Sequence, residues 1–92
     1  MNQSIVVRVE IFREGEQYVG ICPDLEVSSF GDSEEDAKRS LQEALEGFLE
    51  ECETMGTLEE VFEEAGFTRQ NGNWLPRQPL SAQLMTIGAP VS

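Results

Sequence analysis

Along residues 5–13 the apolar positions alternate. Ile5, Val7, Val9 and Ile11 fall on one side, and Val6, Arg8, Glu10 and Phe12 on the other. A period of two, rich in β-branched residues, predicts a half-buried strand over 5–13. Glu14-Gly15-Glu16 supplies a turn, and residues 17–22 a second short strand, so the pair reads as an antiparallel hairpin. Pro23-Asp24 ends that strand. Residues 25–30 read as a third strand, closed by Gly31.

The period then changes from 2 to 3.6. Ala37, Leu41, Ala44, Leu45, Phe48, Leu49 and Cys52 recur at spacings of three and four, which puts them on one stripe of a helix of roughly five turns. Asp32 or Ser33 can cap its start, and Glu34, Glu35 and Asp36 suit the positive end of its dipole. Gly56 suits its end. Gly47 sits inside it at a cost of roughly 1 kcal/mol relative to alanine, for which close backbone approach is the expected reason. Thr57-Leu58-Glu59-Glu60 has the form of a capping box opening a short helix over 58–65, stopped by Gly66. Asn71-Gly72 between two β-prone runs predicts a second hairpin. Residues 76–83 read as loop, and 84–87 as a possible edge strand in a tail whose last residues fray.

The order β-β-β-α, then a short helix and a hairpin, predicts an α+β fold: a three-stranded antiparallel sheet with one long amphipathic helix across it. Residues 1–56 form the expected core unit, 57–75 the appended helix and hairpin, and 76–92 a loop and tail. The outer strands have unprotected edges, which invites pairing between copies.

Charge narrows the function. The chain of 92 residues carries 18 acidic and 6 basic side chains and no histidine, for a net charge of −12. No surplus of Lys and Arg exists to displace counterions, so direct nucleic-acid binding is not expected. Without histidine, His-based acid–base chemistry, Cys–His or Ser–His pairs and His-containing zinc sites are excluded. No apolar run approaches the ~20 residues of a membrane helix, and Met1–Val7 lacks the basic and apolar regions of a secretion signal. Cys22 and Cys52 lack metal-ligand spacing and read as reduced thiols near a core, a single disulfide being the alternative.

Within residues 15–45 the pattern Gly15-x-x-Tyr18-Val19-x-x-x-Pro23-Asp24-Leu25, then Gly31-Asp32-Ser33-x-Glu35-x-Ala37, then Glu43-Ala44-Leu45, resembles the HicB-like family. That family is the antitoxin side of HicA–HicB toxin–antitoxin pairs, with stand-alone members of similar sequence. The resemblance covers about the first 50 residues. It implies a partial ribonuclease-H-like fold, a cytoplasmic location, self-association, and binding of a small basic RNA-cleaving toxin. Two departures stand out. The Pro-Gly-Cys run common after Asp-Leu is replaced by Leu25-Glu26-Val27-Ser28-Ser29. Residues 57–92 carry neither the helix-turn-helix nor the ribbon-helix-helix that many antitoxins use on DNA. Glu64-Ala65-Gly66-Phe67 with Asn71-Gly72-Asn73 is faintly similar to the Gly-Phe…Gly-Ser-His stretch of the HicA toxin, but Asn73-Trp74 stands in place of the histidine. A toxin relic or mimic and a chance similarity are both open there.

The expectation is therefore a non-enzymatic binding protein that masks a small basic toxin, or alternatively a solitary HicB-like structural or regulatory oligomer. Glu10, Asp24 and Asp32 lie at strand ends, where a ribonuclease-H-like site would hold metal, but their spacing shows no convergence. No catalytic, cofactor-binding or metal-ligating set is expected. Between Glu34 and Glu64 lie 12 of the 18 acidic residues against two basic ones, Lys38 and Arg39. Such a segment is either a solvated outer face or a docking surface for a basic partner. The partner-binding candidates are Glu59, Glu60, Glu63, Glu64 and Trp74, with core packing the alternative for Trp74.

Overall fold

The computed structural model describes residues 4–91. Strands β1 (Glu10–Glu14), β2 (Gln17–Cys22) and β3 (Val27–Gly31) form an antiparallel sheet in the order β1-β2-β3. Glu14 pairs with Gln17 and Glu10 with Ile21, while Tyr18 pairs with Gly31 and Cys22 with Val27. Helix α1 (Glu34–Met55) crosses one face of this sheet. Helix α2 (Leu58–Glu64) follows, and β4 (Thr68–Gln70) and β5 (Asn73–Leu75) pair as a separate hairpin. The α+β architecture read from the sequence is the one observed.

The expected first strand is divided between two sheets. β2 has only six residues before the turn at Pro23, so it can pair β1 only from Glu10 onward. Upstream, the chain turns its hydrogen bonds to β5. Ile5 makes a parallel bridge with Trp74, Val6 N donates to Trp74 O at 2.9 Å, and Trp74 N donates to Ser4 O at 2.9 Å. The N-terminal segment thus ties the hairpin to the main sheet. β3 begins at Val27 rather than residue 25, because Glu26 N donates to Pro23 O at 3.3 Å and Glu26 takes a left-handed φ of 56°.

Ser33, not Asp32, caps α1. Its backbone is extended, and its Oγ accepts from Asp36 N at 3.1 Å. The helix ends in a Schellman closure, with Gly56 N donating to Glu53 O and Thr57 N to Cys52 O. That closure overturns the expected capping box at Thr57. The chain enters α2 directly from the closure with Thr57 at φ −109°, ψ 6°, and its hydroxyl turns back to Cys52 O at 3.4 Å instead of to its own helix. α2 ends the same way, through Gly66 N to Glu63 O and Phe67 N to Phe62 O. The hydrophobic contact that accompanies such a closure is the stack of Phe62 on Phe67, centroids 5.0 Å apart.

One apolar cluster joins β2, both helices and β5. Cys22 from β2, Leu25 from the turn after it, Leu41 and Leu45 from α1, and Phe62, Phe67 and Trp74 from the C-terminal elements are buried together. α2 and the hairpin therefore complete the core of the sheet–helix unit. Both cysteines are free and buried. Burial pushes the Cys22 thiol above its ordinary pKa, opposed by the Leu25 backbone N–H and reinforced by the Asp24 carboxylate. It is held protonated at neutral pH, in the inert form of a structural cysteine.

Close approach does not explain Gly47. A Cβ there would have nothing within 4 Å, and the residue is exposed. Gly47→Ala is accordingly expected to stabilise the protein by about 0.5–1 kcal/mol, since alanine restricts the unfolded chain and meets no neighbour. A rise in the urea midpoint at unchanged slope would register this.

After β5 the chain has no regular structure among the described residues. The edge strand expected over 84–87 does not form. Leu80 and Leu84 are fully exposed, and Met85 and Ile87 are about three-quarters exposed. No strand of the described residues pairs with 84–87, so its backbone groups have no ladder to join.

Candidate partner-binding surface

The surface is built from two elements that the core brings side by side. α2 is held by Phe62, which is fully buried and meets Trp74 edge-on with centroids 5.3 Å apart. That anchoring turns Glu59, Glu60, Glu63 and Glu64 outward, and all four are exposed. Opposite stands the Pro23–Glu26 turn, with Leu25 buried as its anchor. Between them is a shallow depression lined by Asp24, Leu25, Glu26, Val61, Glu64 and Ala65.

The roles of its carboxylates differ. Asp24 is engaged by Arg8, whose Nη1 lies 3.4 Å from Asp24 Oδ2, and the Asp24 side chain is only 9% exposed. Glu59 is engaged by Arg69 at 3.6 Å. This is an exposed pair of the kind worth about 0–1 kcal/mol, so a competing cation can displace it. Glu26, Glu60, Glu63 and Glu64 have no ion pair among the described residues. Leu25, Val61 and Ala65 give the depression an apolar floor beneath the Glu26 and Glu64 carboxylates. This combination suits a lysine or arginine side chain, whose aliphatic stem packs on apolar surface while its charged head reaches a carboxylate.

Glu26 escaped the sequence reading. It lies in a segment read as strand, and only the left-handed backbone at φ 56° directs the turn that brings it to α2. A non-glycine residue held there is uncommon and costs roughly 1–2 kcal/mol. The available sign was the departure of Leu25-Glu26-Val27-Ser28-Ser29 from the Pro-Gly-Cys run of the HicB-like pattern that residues 15–45 resemble.

Trp74 does not lie on this surface. It is 3% exposed, beneath the Arg69 guanidinium at 5.0 Å from the ring centroid. The geometry thus fits the packing alternative for this residue. Its Nε1–H is buried without an acceptor among the described residues. Glu10, Asp24 and Asp32 are not gathered. Among the described residues, no group of three His, Cys, Asp or Glu side chains is placed to hold a metal ion. None of the described helices is long and apolar enough to cross a membrane.

Comparison with family models, with curated proteins and with solved structures finds no match to this chain.

Proposed function

We propose that this chain is a non-enzymatic binding protein that masks a small, basic, RNA-targeting toxin, working in the cytoplasm as a homo-oligomer. The observation that carries the reading is the depression between the Pro23–Glu26 turn and α2. There the uncommitted Glu26 and Glu64 carboxylates stand over an apolar floor, beside exposed Glu60 and Glu63. The resemblance of residues 15–45 to HicB-like antitoxins supports the same role. A basic surface used to grip RNA would be covered by this carboxylate array, which also relieves the self-repulsion of a chain at −12.

No direct role on nucleic acid is proposed. Arg8, Arg39 and Arg69 are already paired with carboxylates. The alternative is a solitary HicB-like structural or regulatory oligomer, and the exposed apolar tail favours it.

Affinity capture from the lysate of its own host at low salt tests the proposal. The expected product is a small basic protein that cleaves RNA once released by salt and is silenced when the chain is added back. Attraction between exposed charges weakens as the screening length shortens, from about 10 Å at 0.1 M to about 3 Å at 1 M. Recovery of the bait alone as an oligomer would overturn the masking role in favour of the solitary alternative.

A further inference from the structure

We infer that residues 80–91 dock on a second copy of this chain, adding a strand to the free edge of its β1. Four observations support this assignment.

The tail is the only long charge-free stretch of a chain at −12: residues 78–92 contain no Asp, Glu, Lys or Arg. Two such copies repel each other across most of their surfaces. A contact made by the tail brings no additional carboxylate to the interface.

The tail also leaves the body of its own chain. Arg77 is fastened at its root: its carbonyl accepts from Arg8 Nη2 at 3.0 Å, and its stem lies across Gly66, where a Cβ would stand 2.9 Å from Arg77 Cδ. Beyond Pro79 the leucines at 80 and 84 are fully exposed, with Met85, Ile87 and Val91 largely so. The radius of gyration is 16.2 Å, against about 12 Å for a compact chain of this length. Apolar side chains presented this way are an unfilled half of an interface.

The receiving edge exists on the same molecule. Among the described residues β1 pairs only with β2, so its outer N–H and C=O groups have no ladder partner there. Beside it, Val7, Val9, Leu41 and Leu45 line a groove whose only charged member is Lys38. On the other side of the edge, Val6 and Phe12 are each 48% exposed.

The tail sequence fits that edge. Residues 80–89 contain no proline, and 84–87 read Leu-Met-Thr-Ile, with Met85 and Ile87 alternating against Leu84 and Thr86. Apolar residues on both faces suit a strand covered on both faces. Met85 and Ile87 fill the groove, and Leu84 covers Phe12. Reciprocal exchange gives a closed two-fold dimer held by strand addition.

This inference rests on the self-association in the reading above, not on a toxin. Light scattering of the full chain and of a chain lacking residues 80–92 separates the two. The expected result is a dimer for the full chain. The shortened chain should be a folded monomer that keeps the helical circular dichroism of the full chain, since residues 80–91 are exposed, and its melting temperature should lose the concentration dependence that dimerisation gives the full chain. Ile87→Asp and Val9→Asp should each weaken dimerisation at least about tenfold. Mixing Val9→Cys with Ile87→Cys should yield a disulfide-linked heterodimer under mild oxidation, because Cys22 and Cys52 are buried. A dimer that survives removal of the tail, or fails to give the mixed disulfide, overturns this docking mode and leaves self-association standing. A full chain that is monomeric overturns both.

Discussion

Phe62→Ala is expected to destabilise the protein by about 3–5 kcal/mol, the range for emptying a fully buried aromatic position. Phe62 has no exposed surface, stacks on Phe67 and meets Trp74 edge-on. It is therefore the fully buried anchor at which α2, the closure at Gly66 and the hairpin meet in one core, with Leu58, Val61 and Ala65 packed around it. A domain of this size has about 5–15 kcal/mol in all, so the variant should sit near its unfolding threshold. Trp74 is the only tryptophan and reports the site directly. Its emission should be red-shifted before denaturant is added, and the urea midpoint should fall steeply. A midpoint close to that of the parent would show that the C-terminal elements do not complete the core.

Gly31→Ala should be the most damaging change at the sheet–helix junction. A Cβ at this position would fall 2.5 Å from the Asp36 carbonyl carbon and press on the Ala37 backbone nitrogen. Both are backbone atoms of the first turn of α1, and no side-chain rotation relieves the clash. Overpacking costs about 1–3 kcal/mol and occasionally more, and the upper part of that range is expected here. Gly20→Ala should cost less, because its nearest neighbours would stand 3.1–3.3 Å away and include the movable Ile11 side chain. Urea midpoints rank the two. Hydrogen exchange at Asp36 and Ala37 should accelerate in the Gly31 variant and stay near the parent's rate in the Gly20 variant.

The elements most legible in the sequence were those whose signal is local. The stripe from Ala37 to Cys52 needs only the 3.6-residue period. The Asn71-Gly72 turn needs only two residues that accept positive φ, which they adopt at 53° and 80°. Less legible were features set by what lies across from them. The alternation of residues 5–13 is real, but the length of β2 decides which part joins it. Thr57 has the composition of a helix cap, yet the preceding closure takes its backbone and hydroxyl. Charge density marked Glu59 to Glu64 as a candidate surface. Packing alone revealed that Glu59 is engaged by Arg69, that Trp74 lies beneath that arginine, and that Glu26 faces α2 across the depression. The apolar tail was visible as a pattern without a partner, and remains so within one chain.

The central claim is that the α2 carboxylates recognise a basic partner. Parallel capture from host lysate, with the parent chain and with a Glu59→Gln/Glu60→Gln/Glu63→Gln/Glu64→Gln variant as baits, tests it most directly. These exposed substitutions leave the core intact, so both baits should be equally folded by circular dichroism. The account predicts a basic, salt-released protein on the parent bait and at least about tenfold less on the variant, a difference of about 1.4 kcal/mol. Equal recovery on both baits would contradict it.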